Sequence, residues 1–204
     1  MSKIGVINYG VGNLRSVKNS LDFLNIPNEI TDKPEEIKNF DKIILPGVGA
    51  FGAAMEKLNH SGFAEEIKKF NDQNKPILGI CLGMQLLFDE SFEHGHHKGL
   101  GLIKGKVLPF SDKVKDLPLP QIGWNKINKE KESVILANIE HDSCFYFVHS
   151  FYCEPQEKLI TVASSDYGIN FTSIIHKNNV FGCQFHPEKS QAAGLQILKN
   201  FNEL

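Results

Sequence analysis

The chain is short of arginine. Arg15 is the only one among 22 basic residues. Bidentate recognition of phosphate or carboxylate depends on the guanidinium fork, so strong clamps of that kind must be built elsewhere, such as on a partner. Cysteine is scarce too: Cys81, Cys144, Cys153 and Cys183, none in a Cys-x-x-Cys or zinc spacing. That excludes a disulfide scaffold. An excess of one charge is missing: 22 basic residues face 24 acidic ones, a net charge of −2. No broad basic field exists for nucleic acid. No apolar run approaches the ~18 residues of a membrane span, and Met1-Ser2-Lys3 does not begin a secretion signal. The expectation is a cytoplasmic protein. Its 204 residues, 41% of them hydrophobic, can bury a large core.

The first ninety residues alternate strand and helix. Lys3–Asn8, Glu29–Thr31, Lys42–Leu45 and Pro76–Ile80 read as buried strands. Between them, Asn13 is placed to cap a helix running to about Asn25. Helices are also expected from Pro34, over Ala50–Asn59, over Phe63–Asn74 and over Gly83–Asp89. This alternation means a mostly parallel sheet covered by helices. The second half is richer in strands, near 102–109, 121–127, 144–152, 159–164, 172–176 and 180–185, and a helix closes the chain from about Ser190. One compact α/β domain over 1–204 is expected.

The most informative segment is Gly79-Ile80-Cys81-Leu82-Gly83. A strand leads in, a helix leads out, and glycines flank Cys81 at −2 and +2. This is a nucleophile elbow carrying Cys. The N–H groups of the following helix favour a thiolate. The Leu82 N–H faces an oxyanion formed on a carbonyl that the sulfur attacks. A buried cysteine in a tight turn is the structural alternative, and a catalytic one also needs a base.

That base is offered by His186-Pro187-Glu188. Pro187 favours an extended His186, and residues i and i+2 of an extended chain share a side. Glu188 can therefore orient one ring nitrogen while the other faces the thiol.

Together, Gly-Ile-Cys-Leu-Gly-Met-Gln around Cys81 and His-Pro-Glu at 186–188 resemble the class I (triad) glutamine amidotransferases. The likeness runs over nearly the whole chain. It implies a flavodoxin-like sheet flanked by helices, with catalytic Cys81, His186 and Glu188. Cys81 would attack the carboxamide of L-glutamine, forming a glutamyl thioester and freeing ammonia, with no metal and no cofactor. The resemblance further implies oxyanion donors at Val48 and Leu82. It implies a substrate pocket from Gly47, Gly49, Gln85, Glu93, Tyr146, His149 and Ser150.

Asn8-Tyr9-Gly10-Val11-Gly12-Asn13, Pro46-Gly47-Val48-Gly49-Ala50-Phe51 and Gly123-Trp124-Asn125 are most similar to the branch feeding ammonia to a separate cyclase of histidine biosynthesis. The resemblance implies that this partner is a (β/α)8 barrel forming a heterodimer with the chain. Val11, Asn13, Trp124 and Lys189 would face it. A paralogous branch serving sugar-amidating enzymes of surface glycans is the alternative.

Two motifs invite other readings. Gly47-Val48-Gly49-Ala50-Phe51-Gly52 fits the dinucleotide fingerprint, although no acidic residue ends the next strand. His94-Gly95-His96-His97 invites a metal but has no acidic or thiol companion at a recognised spacing. Cys144, Cys153 and Cys183 are expected in the core.

Overall fold

The computed structural model describes residues 3–204. β1 (Ile4–Ile7), α1 (Leu14–Phe23), β2 (Asn28–Thr31), β3 (Lys42–Gly47), α2 (Phe51–His60), α3 (Phe63–Asp72) and β4 (Ile77–Cys81) follow the expected alternation. α1 buries Val17 and Leu21, one turn apart on its inner face. Asn13 stands at its N-cap, but its side chain makes no capping bond, contrary to the sequence reading. Asn25 takes φ 54 and ends the helix early, a backbone that Asn tolerates better than most residues. The segment from Pro34 is a 3-10 helix, Pro34–Asn39, rather than an α-helix.

The helix after the elbow is also shorter than expected. α4 (Leu82–Leu86) has five residues, all buried. The chain then enters β5 (Phe88–Ser91), which pairs in parallel with β7 (Ile103–Pro109), and β6 (His97–Lys98) lies beside β5. The rest runs through β8 (Gln121–Lys126), β9 (Asn128–Lys129), β10 (Cys144–His149), β11 (Phe151–Pro155), β12 (Thr161–Asp166), β13 (Asn170–Lys177) and β14 (Val180–Cys183) to α5 (Gln191–Asn202). The apolar stretch near 144–152 is thus two strands broken at Ser150.

The main sheet begins in the order β2-β1-β3-β4-β14, all parallel. This is the doubly wound order whose ligands sit beyond the carboxyl ends of the strands. From β13 onward the sheet continues mainly antiparallel, and β8 and β10 form a separate antiparallel pair. One core packs α1 and α5 on one face, through Val17, Leu21, Ile197, Leu198 and Phe201. The other packs α2 and α3 on the opposite face, through Phe51, Leu58, Phe63, Ile67 and Phe70. Among the described residues, no helix is long and apolar enough to cross a membrane.

Candidate active site

Cys81 ends β4 with φ 54 and ψ −113, a strained backbone for a side-chain-bearing residue. The flanking glycines make the turn possible. A Cβ on Gly83 would lie 1.8 Å from the Leu45 carbonyl oxygen, and one on Gly79 would lie 2.7 Å from the Gly83 carbonyl. No larger residue fits either place. Register then fixes the neighbours: Cys81 pairs with Gly47 on one side, and Ile80 pairs with Cys183 on the other. The Pro46–Gly49 turn and the chain leaving β14 therefore flank the thiol. Because α4 is so short, its contribution to a thiolate is its first N–H groups rather than a long dipole.

His186 leaves β14 in extended geometry, φ −96 and ψ 98, as Pro187 requires. Its N–H donates to the Tyr146 carbonyl at 2.9 Å. Its Nδ1 lies 2.9 Å from Glu188 Oε1, and both side chains are buried. Glu188 reaches the ring from a 3-10 turn, Pro187–Lys189, rather than by extended alternation. Among the described residues Glu188 Oε2 has no hydrogen-bond partner, and His186 is the counter-charge of this buried carboxylate. His186 Nε2 is also buried without a hydrogen-bond partner. Burial disfavours the imidazolium. Interactions with Cys81 and Glu188 outweigh it and raise the His186 pKa above the usual histidine range. Thus the ring can hold a proton taken from the sulfur.

A cavity of about 500 Å³ opens here. Val48, Gly49, Cys81, Leu82, Gln85, Glu93, His149, Ser150 and His186 line it, nine of the residues singled out from sequence. Gln85 donates its amide N–H groups to the Phe151 carbonyl and to Gln184 Oε1, both at 3.1 Å. Glu93 Oε2 accepts the Phe51 N–H at 2.6 Å. That carboxylate occupies the N-terminus of α2, where a pyrophosphate would have to sit, so the dinucleotide reading is set aside.

His149 Nδ1 donates to the Phe151 carbonyl at 2.7 Å. Burial pushes its pKa down to about 4, and rings of Phe110, Phe147 and Phe171 surround it. It is a neutral hydrogen-bonding residue, not a second base.

Several expectations change. Gly47 does not line the cavity; it lies against Leu82, Gly83 and the Tyr9 hydroxyl. Tyr146 does not line it either. Phe145, Phe147 and His149 point inward from β10, and the strand's alternation turns Tyr146 the other way. Its ring meets Trp124 edge-on at 6.1 Å and lies 5.7 Å from Lys189 Nζ. Trp124 is 50% exposed, and Val11 and Asn13 are partly exposed. Cys144 is exposed, while Cys153 and Cys183 are buried as expected. The loop histidines diverge: His94 faces the cavity, His96 pairs with Glu90, and His97 packs on Gly52 and Phe51.

Sequence reasoning missed Gln184 and Tyr9. Gln184 is fully buried and donates from Nε2 to Cys81 Sγ at 3.8 Å. Its signal was a lone amide in the apolar run 180–185. Tyr9 donates its hydroxyl to the Pro46 carbonyl at 3.0 Å beneath the Pro46–Gly49 turn.

A strained thiol, a histidine oriented by a buried carboxylate, and backbone N–H groups beside a polar-ended cavity make an acyl-transfer site. The model of the family described as Glutamine amidotransferase class-I matches residues 6–203, and the chain belongs to that family. More particularly, it is similar to proteins named imidazole glycerol phosphate synthase subunit HisH. The one from Chlorobaculum tepidum is 50% identical, over 97% of this chain and 98% of that protein. The one from Bacillus subtilis is 45% identical, over 98% of this chain and 96% of that protein. Among solved structures, a crystal structure of glutamine amidotransferase matches with TM-score 0.77 at 18% identity, covering 98% of this chain and 97% of that one. The structure of PurLQS from Thermotoga maritima matches with TM-score 0.76 at 20% identity, over 99% and 98%. At these identities the structures speak to the fold alone.

Proposed function

We propose that the chain is the glutaminase subunit of imidazole glycerol phosphate synthase, with Cys81, His186 and Glu188 as its triad. Cys81 Sγ attacks the carboxamide carbon of glutamine, and His186 Nε2 takes the thiol proton. The oxyanion is held by the N–H groups of Leu82 and Val48. His186 returns the proton to the departing nitrogen, and ammonia leaves behind a glutamyl thioester. His186 then activates water, which attacks the thioester and releases glutamate and the thiol. Gln85 Oε1 and Glu93 receive the α-ammonium end of the substrate.

The observation that carries this reading is the unpartnered Nε2 of buried His186, set against Cys81 and backed by Glu188. Glutamine hydrolysis by wild type and by C81A tests it. Activity that survives in C81A would defeat the assignment.

The ammonia is taken up by a cyclase chain of (β/α)8-barrel form, docked over the cavity mouth. Ile122, 62% exposed, and Trp124 form an outward apolar face on β8, opposite Val148 and Tyr146 of β10. Pro120 and Val148 continue that face into the cavity. Trp124 and Lys189 both lie against the Tyr146 ring, and an exposed Trp is a common interface anchor. Across the mouth, the Gly10–Asn13 loop reaches the oxyanion turn: a Cβ on Gly12 would lie 3.3 Å from Pro46 Cγ.

A further inference from the structure

Gln184 is a fully buried amide in the first residue after β14. A primary amide has two donors and one oxygen acceptor, and its neighbours decide which end goes where. Gln85 Nε2 donates to both the Phe151 carbonyl and Gln184 Oε1. The Phe151 carbonyl can only accept, so the nitrogen of Gln85 must face it. The oxygen of Gln184 must then face Gln85, which leaves the Gln184 nitrogen 3.8 Å from Cys81 Sγ. The polarity of the whole row is therefore set by one backbone carbonyl. It runs from Phe151 through Gln85 and Gln184 to the sulfur.

We infer that Gln184 is a positioning residue of the glutaminase site, holding Cys81 and Gln85 in their working states through its two amide ends. Its N–H donates to the sulfur, an interaction that strengthens when the sulfur is a thiolate. Its oxygen keeps Gln85 turned so that Gln85 Oε1, the one atom of that amide left over, faces the cavity as an acceptor for an ammonium group. The main-chain N–H of Gln184 donates to the Ser173 carbonyl at 2.8 Å, which fixes the residue in the sheet. A solely structural role would need only that backbone bond and a side chain of the right volume.

The inference rests on the reading of Cys81 as nucleophile and Gln85 as substrate contact. Q184M and Q184E are compared with wild type. Iodoacetamide alkylation of the Cys81 peptide is followed against pH, and kcat and KM for glutamine are measured with the partner subunit present. Both variants lose the N–H donor, so the alkylation midpoint should rise by about one pH unit. Q184E still accepts from Gln85 and should keep KM within about threefold. Q184M frees Gln85 to rotate and should raise KM roughly tenfold. In a Q85M background, Q184M should raise KM no further. A folded Q184M with wild-type midpoint and KM would overturn the inference. If Q184M does not fold, an unchanged midpoint in Q184E overturns it. Failure of the underlying reading looks different: glutamine hydrolysis would then persist in C81A.

Discussion

Replacing Glu188 by Gln removes a charge while keeping shape. Glu188 Oε1 sits 2.9 Å from His186 Nδ1, both side chains are buried, and Oε2 has no other partner. The carboxylate thus acts almost wholly on the imidazole. Two unit charges about 4 Å apart interact by about 4 kcal/mol at an effective dielectric of 20. That energy is available when His186 becomes imidazolium, as Cys81 gives up its proton. The neutral amide dipole of E188Q recovers part of it, so kcat should fall roughly 10²–10³-fold. The His186 pKa should fall as well. The assay is glutamine turnover with the partner subunit present, alongside Tm to establish folding and the imidazole shift of His186 against pH by NMR. A folded E188Q enzyme within about fivefold of wild type would refute the argument and leave Glu188 a buried acid without a catalytic task.

Three other outcomes are expected. G83A places a methyl 1.8 Å from the Leu45 carbonyl; it should cost at least about 3 kcal/mol and lower Tm by more than about 6 °C, so a wild-type Tm would contradict the elbow geometry. His149 has its pKa pushed down to about 4 by burial, so the unfolded chain binds its proton first and stability falls as pH drops below the usual histidine range. Between pH 7 and pH 5 this should remove roughly 2 kcal/mol, and H149N should flatten that part of the stability–pH curve; an unchanged slope in denaturant titrations would show His149 to be solvated. Finally, one missing oxyanion donor is worth roughly 10²–10³ in rate, and under the proposed mechanism one of the two donors comes from the half-exposed Val48 turn, held from below by Tyr9, and is completed when a partner docks. Glutaminase turnover should therefore rise about 10²-fold when the cyclase and its phosphoribosyl substrate are added; full activity alone would rule out control through this turn, and activation only by a sugar-amidating chain would move the pathway.

Much of the site was legible because local chemistry dictates it. Gly79 and Gly83 mark the elbow since nothing else fits where α4 packs against β4 and β3. Pro187 sets the backbone of His186. The alternation of the first eighty residues gives the parallel half of the sheet for the same reason: each buried strand and each one-sided helix needs the other. What escaped depends on pairings distant in sequence. Phe88 and Asp89 continue the helical pattern from Gly83, yet Phe88–Ser91 is a strand because Ile103–Pro109 comes back beside it. Gln184 looked like one polar residue in an apolar strand; its meaning lies in Gln85 and Cys81, about a hundred positions away. Tyr146 is different. The inward Phe145, Phe147 and His149 already imply that Tyr146 faces out, and that alternation was there to be used.

The central claim is that Cys81, alone among four thiols, is the nucleophile toward glutamine. A diazo-ketone analogue of glutamine tests it, because the reagent must first occupy the cavity. Cys153 and Cys183 are buried, while burial raises their pKa values well above the usual thiol range; exposed Cys144 is the internal control. Intact mass should show one equivalent bound, slowed by glutamine, and peptide mapping should place it on Cys81. A label on Cys144, or a label that glutamine does not slow, would contradict the account.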